Sequence, residues 1–175
     1  MLEGKYVKLR ALEKSDLTKL RDWRNSKHIR KTVREFRILN LLNQKQWFEK
    51  IYTENPPSSI MFGIVTNSKL VGVCGLTYID WKNKHAELSC YFQKTKWQKS
   101  KESIETIKLL LDYGFNELNL HRIWAEVYEI SIENKKLLEK LGFVLEGTLR
   151  DKLWRDGRWW DSYVYSIINS DIERK

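Results

Sequence analysis

Polar and apolar residues alternate along Tyr6–Leu12 (YVKLRAL), the mark of a half-buried strand. Ser15 or Asp16 then supplies a helix cap, and Leu17, Leu20 and Trp23 with Arg24 share one stripe of a helix ending near Ser26. Lys27–Leu42 is basic and has no clear period. Asn43 opens a second helix, NQKQWFEKIY, with Gln46 in the capping-box position, and Asn55-Pro56-Pro57-Ser58 breaks it. Two strand-like runs follow, Met61–Thr66 and Lys69–Asp80, joined at Asn67-Ser68 as a tight hairpin. Trp81–Lys84 turns the chain into a further strand, Ala86–Phe92.

That strand begins the most informative stretch, His85–Leu118. It runs into a polar loop carrying Lys94, Lys96, Lys99 and Lys101, and then into a helix with Ile104, Ile107, Leu111, Phe115 and Leu118 on one face. A strand that delivers its loop to a helix N-terminus creates an anion site, because the first backbone N–H groups lack helical partners and the aligned dipoles are positive there. A phosphate-bearing ligand is therefore expected at this loop. Downstream, Arg122–Tyr128 is a strand, and Ser131 caps a short helix, Ile132–Leu141, that Gly142 ends. Val144–Trp154 and Arg158–Ile168 form a last hairpin around Arg155-Asp156-Gly157. The order predicts an α/β or α+β fold, a mixed sheet of about seven strands flanked by about four helices. No linker or repeat divides it, so residues 1–170 read as one domain and 171–175 as a polar tail.

Composition narrows the partners. Apolar residues make up 42% and aromatics 13%, which fits a packed core and excludes disorder. Lys and Arg number 32 against 23 acids, a net charge of +9 that suits an anionic partner. The basic residues are dispersed and no nucleic-acid motif appears, so nucleic acid is not the favoured partner. Cys74 and Cys90 lie in apolar runs without metal-ligand spacing, and read as buried thiols of a reducing compartment. His28, His85 and His121 do not form a set, so no metal site is expected. No apolar run approaches the roughly 18 residues of a membrane span, and no leader opens the chain, so a cytoplasmic protein is expected.

Several motifs resemble the GNAT superfamily of acyl-CoA-dependent N-acetyltransferases. They are VKLRALEKSDL at Val7–Leu17, DWRN at Asp22–Asn25, GVCGLTYID at Gly72–Asp80, LLLDYGFNELNLHRI at Leu109–Ile123, LLEKLGFVLEGTLRD at Leu137–Asp151 and DGRWWDSYVYSI at Asp156–Ile167. They span nearly the whole chain in family order, and the subgroup most resembled holds ribosomal-protein N-terminal and nucleotide-sugar acetyltransferases. The resemblance implies a splayed mixed sheet with acetyl-CoA in the split beside Ala86–Phe92. Cys90, Tyr91 and Phe92 would meet the cosubstrate mainly through backbone, with Asn134 also on the cofactor side. The family's pyrophosphate loop falls on Gln98, Lys99, Ser100, Lys101, Glu102 and Ser103. Here Lys101 and Ser103 stand where small residues belong, Glu102 adds a negative charge, and the lysines offer ammonium groups instead.

Acetyl transfer needs a neutral amine, an N–H donor for the oxyanion and a proton for the departing thiolate. Proximity in a ternary complex supplies much of the rest. The oxyanion donor would be a backbone N–H on Ser89–Tyr91. Glu87, a carboxylate in an otherwise apolar strand, is the candidate base, with a raised pKa expected and pairing with a lysine or His85 as its structural reading. Ser131 and Tyr128 are candidate acids, set against helix capping and strand packing. Trp81 and Trp159 are candidate acceptor contacts; Arg24, Arg34 and Arg37 are candidates to meet a phosphate or carboxylate of the acceptor, with solvated surface the simpler reading of each. The acceptor is then a small-molecule or peptide amine, such as an amino sugar or a protein N-terminus, and a second copy of the chain is a candidate partner. The competing reading is a weak or inactive binding module of the same fold with a degenerate CoA loop.

Overall fold

The computed structural model describes residues 1–95 and 100–170. The expectations for Lys96, Gln98 and Lys99, and for the tail at 171–175, lie outside the described residues. Eight strands form one sheet in the order β1-β2-β3-β4-β5-β6-β8-β7. They are β1 (Leu2–Glu3), β2 (Lys8–Ala11), β3 (Ser59–Thr66), β4 (Lys69–Asp80), β5 (His85–Phe92), β6 (Arg122–Tyr128), β7 (Val144–Arg155) and β8 (Arg158–Ile168). The strand beyond the expected seven is β1, a two-residue pairing against Leu9 and Lys8. All neighbours are antiparallel except β5 and β6, which run parallel. Both hairpin signals are realised: Asn67 and Ser68, and likewise Asp156 and Gly157, have positive φ, the geometry that tight hairpins require.

Among the described residues five α-helices cover the sheet: α1 (Leu17–Asn25), α2 (Lys27–Arg30), α3 (Leu41–Thr53), α4 (Lys101–Asp112) and α5 (Ile132–Lys140). Four residues of the basic, aperiodic stretch fold as α2, whose single buried residue is Ile29. Helix α3 starts earlier than the Asn43–Gln46 pattern suggests. Asn40 is its cap, its side chain accepting from the Asn43 N–H at 2.9 Å, while the Asn43 side chain accepts from the Asn40 N–H at 3.1 Å. Asn43 is therefore the reciprocal partner and not the cap. Helix α4 buries Ile107, Leu110 and Leu111, and passes into a single π-helical turn, Tyr113–Glu117, that buries Phe115. Gly142, at φ +91°, ends α5 in the left-handed conformation that glycine adopts without a Cβ penalty.

The alternation within strands sorts side chains into two cores on the two faces of the sheet. Cys74, Leu76, Ala86, Leu88 and Phe92 join Ile107, Leu110 and Leu138 in the larger one. Met61 and Val73 join Leu17, Leu20, Trp23 and Ile51 in the other. Among the described residues no helix is long and apolar enough to cross a membrane.

Candidate active site

The parallel pair β5–β6 opens the sheet. The strands pair at only three positions, His85↔Arg122, Ala86↔Ile123 and Glu87↔Trp124. Beyond them β5 stays paired with β4 as far as Phe92, and β6 stays paired with β8 as far as Tyr128. The facing edges of Leu88–Phe92 and Ala125–Tyr128 are left apart. Backbone polar groups on such an edge need partners, and a ligand's amides can supply them. A cleft of about 1070 Å³ passes through this split. On one side it meets Ser103 and Ile107 of α4 and Asn134, Leu137 and Leu138 of α5. On the other it opens between α1, α3 and the segment that joins α2 to α3.

Two carboxylates stand where the strands part. Glu87 on β5 is 6% exposed, and the Glu126 side chain on β6 is 8% exposed. Arg34 reaches in from the segment after α2 and ties them together. Its Nη1 donates to Glu87 Oε2 at 2.6 Å, and its Nη2 donates to Glu87 Oε1 at 2.6 Å and to Glu126 Oε2 at 2.7 Å. The guanidinium also lies 5.4 Å from the Tyr78 ring centre and 5.9 Å from that of Trp124. Ser162 donates to the remaining Glu126 oxygen at 2.5 Å. Burial works against the Arg34 charge, but the bonds to Glu87 and Glu126 outweigh it and hold its pKa above the ordinary value. Burial likewise pushes the Glu126 pKa up, yet Ser162 and Arg34 prevail and the net shift is downward. Glu87 therefore has a bidentate guanidinium partner, and among the described residues neither a lysine nor His85 pairs with it.

The other anticipated residues divide by position. Arg24, Cys90, Tyr91, Phe92, Ser103, Tyr128 and Asn134 line the cleft with Glu87. Arg24 stacks over the Tyr91 ring at 5.7 Å. Burial pushes the Cys90 thiol and the Tyr91 hydroxyl each up to about 12. It raises Tyr128 too, with Glu126 adding to the effect, so this phenol keeps its proton at neutral pH. Trp81 and Trp159 do not line the cleft. Trp81 donates its indole N–H to the Pro57 carbonyl at 2.8 Å, and Trp159 packs edge-on against Trp154 on the last hairpin. Ser131 makes no side-chain cap, contrary to the capping pattern, and its buried hydroxyl has no hydrogen-bond partner.

At the start of α4, Ser100 is the cap and accepts from the Ser103 N–H at 3.4 Å. Lys101 does not aim into the cleft: its ammonium lies 5.5 Å from the Tyr6 ring. Lys94 is exposed. Glu102 forms no ion pair with a described residue, so it does not lock the split shut. Glu126 escaped the sequence reading, although it carries the same signal as Glu87, a carboxylate inside an apolar strand. Arg34, read from the sequence as an acceptor contact or solvated surface, is instead the ion-pair partner of both carboxylates.

The family described as acetyltransferase (GNAT) domain matches residues 9–164. The uncharacterized N-acetyltransferase p20 of Bacillus licheniformis is 38% identical over 103 residues, 59% of this chain and 57% of its own length. The uncharacterized N-acetyltransferase YoaA of Bacillus subtilis is 33% identical over 75% of this chain and 73% of its own. Among solved structures, a spermidine N-acetyltransferase from Vibrio cholerae, in complex with CoA and spermine, superposes with a TM-score of 0.87. It is 26% identical and covers 96% of this chain and 98% of its own.

Proposed function

The chain belongs to the GNAT acetyltransferase family, and on that premise we propose that it moves an acetyl group from acetyl-CoA to a primary amine within a ternary complex. The carrying observation is the cleft through the split sheet, with the β5 edge unpaired from Leu88 to Phe92 beside the start of α4. Backbone groups of Cys90, Tyr91 and Phe92 would pair with the cosubstrate's amides, and Asn134 and Ser103 face the same arm of the cleft. Ser100, Lys101 and Glu102 border that arm at the start of α4 and do not line it.

Acetyl-CoA supplies the activated acyl group: the amine nitrogen bonds to the acetyl carbon as the carbon–sulfur bond breaks. Glu87 and Glu126 attract the incoming ammonium, whose extra proton leaves by way of these carboxylates and water to give the neutral nucleophile. A backbone N–H on Ser89–Tyr91 meets the charge developing on the acetyl oxygen. Tyr128 holds its proton and lines the cleft, so it is the better placed donor to the leaving sulfur; Ser131 does not line it.

The acceptor arm favours an amine borne on an anionic or uncharged body, an amino sugar or a peptide N-terminus. Three of its acids are already engaged by cations, Glu35 by Arg37 and Glu87 and Glu126 by Arg34, while Glu54 accepts from Ser58. Its cations Arg24 and Lys50 have no salt-bridge partner among the described residues. A long polyamine wants the reverse balance. The test is thiol release from acetyl-CoA against a panel of amino sugars, peptides and polyamines. Turnover confined to the first two classes is expected. Turnover with polyamines alone would overturn the acceptor assignment, and turnover with no amine would overturn the activity.

A further inference from the structure

Resting on the acetyltransferase reading, we infer that Arg34 sets the charge of the acceptor: it is an internal cation that leaves room for one ammonium and excludes a second. Two carboxylates, both less than a tenth exposed, share a single guanidinium at the mouth of the split. The cluster therefore carries one uncompensated negative charge. Leaving such a charge in a partly dry site is costly, and one cation arriving from the cleft removes the cost. Two cations arriving together would overshoot, placing like charges beside the guanidinium. Of the surrounding groups, Ser162 is a neutral donor, and Tyr78, Trp124 and Tyr128 are neutral rings. Two cations stand further out. Lys152 is exposed and screened by water, and Arg155, which keeps its charge, has Nη1 and Nη2 turned to the carbonyls of Trp154 and Val33 and makes no ion pair with either carboxylate.

Each carboxylate still has lone pairs to give. Glu87 uses one direction on each oxygen for Arg34, and Glu126 one for Arg34 and one for Ser162. The ammonium can thus dock without expelling the arginine. Arg34 is on this account a positioning and selectivity residue. It holds both carboxylates at one point and cancels one of their charges.

The experiment compares 1-aminobutane with 1,4-diaminobutane as probes. Binding to the CoA-saturated protein is measured by titration calorimetry, and acetyl transfer by thiol release. Arg34→Gln should raise the preference for the diamine over the monoamine by about tenfold in both readouts, the size of one well-placed charge contact. Arg34→Lys, which keeps the cation, should return the preference to within about threefold of the parent. A preference unmoved by Arg34→Gln in a folded protein overturns the inference, because a merely structural role would weaken both amines alike. If Arg34→Gln does not fold, Glu126→Gln decides: it leaves a neutral pair and should weaken the monoamine about tenfold, and unchanged binding overturns the inference. Amine binding that follows this pattern without acetyl transfer would refute the enzyme reading and leave the role of Arg34 standing.

Discussion

Replacing Arg34 by Gln should destabilise the fold far more than replacing its partner Glu126 by Gln. The first change strands two carboxylates that are 6% and about 8% exposed. Removing one partner of a buried pair costs about 3–5 kcal/mol. The Arg34 side chain is 43% exposed, so water reaches the vacated position and discounts the cost to about 2–3 kcal/mol. Glu126→Gln leaves the bidentate bond to Glu87 intact and still offers an amide oxygen to Arg34 or Ser162, a loss of about 1 kcal/mol. At about 2–4 °C per kcal/mol for a chain of this size, Tm should fall by about 5–10 °C and about 2–4 °C respectively. The double variant should cost about 1 kcal/mol less than the sum, since the second change removes one stranded charge. Urea unfolding of the four proteins at one pH and salt gives the cycle. Additivity within about 0.5 kcal/mol would refute the coupling of β5, β6 and the segment after α2 through this arginine.

Other consequences follow from single contacts. Gly72→Ala would place a Cβ 2.6 Å from the Tyr91 carbonyl, so chemical denaturation should show a loss of about 1–3 kcal/mol and a weakened β5 edge. Leu110 is fully buried in the larger core, and Leu110→Ala should cost about 2–5 kcal/mol by the same measurement. Arg122 holds Glu146 at about 2, below the ordinary 4.5. The stabilisation is therefore complete above about 4.5 and drains away as pH falls towards 2, and Glu146→Gln should flatten that limb of an acid-unfolding curve. Cys90 is half-buried on the cleft wall, not fully buried as the apolar run suggests, and desolvation pushes its thiol up to about 12, so a thiol reagent at neutral pH should label the native protein far more slowly than the unfolded chain; equal rates would contradict this.

Elements with strong local signals were legible in the residues. β4, β6 and β8 occupy their expected spans, because alternation and the Asn67-Ser68 and Asp156-Gly157 turns act over a few residues. Asn40 was missed because either asparagine of the pair can cap, and only the path of the preceding chain decides between them. The site was half legible. Glu87 stood out in its strand, and the split beside Tyr91 was expected from the family resemblance. The ion pairs were not, since Arg34 is 53 residues from Glu87 and 92 from Glu126 along the chain. No local pattern encodes which cation a buried carboxylate meets. The hydroxyl of Ser131 shows the converse, a good capping residue at a helix start whose side chain caps nothing.

Titration calorimetry with acetyl-CoA reads the central claim, that the open edge of β5 and the start of α4 seat the cosubstrate. The account predicts saturable binding at one site per chain that weakens as salt rises, because the ligand's phosphates meet a protein of net charge +9. An absence of heat at high ligand concentration would contradict it.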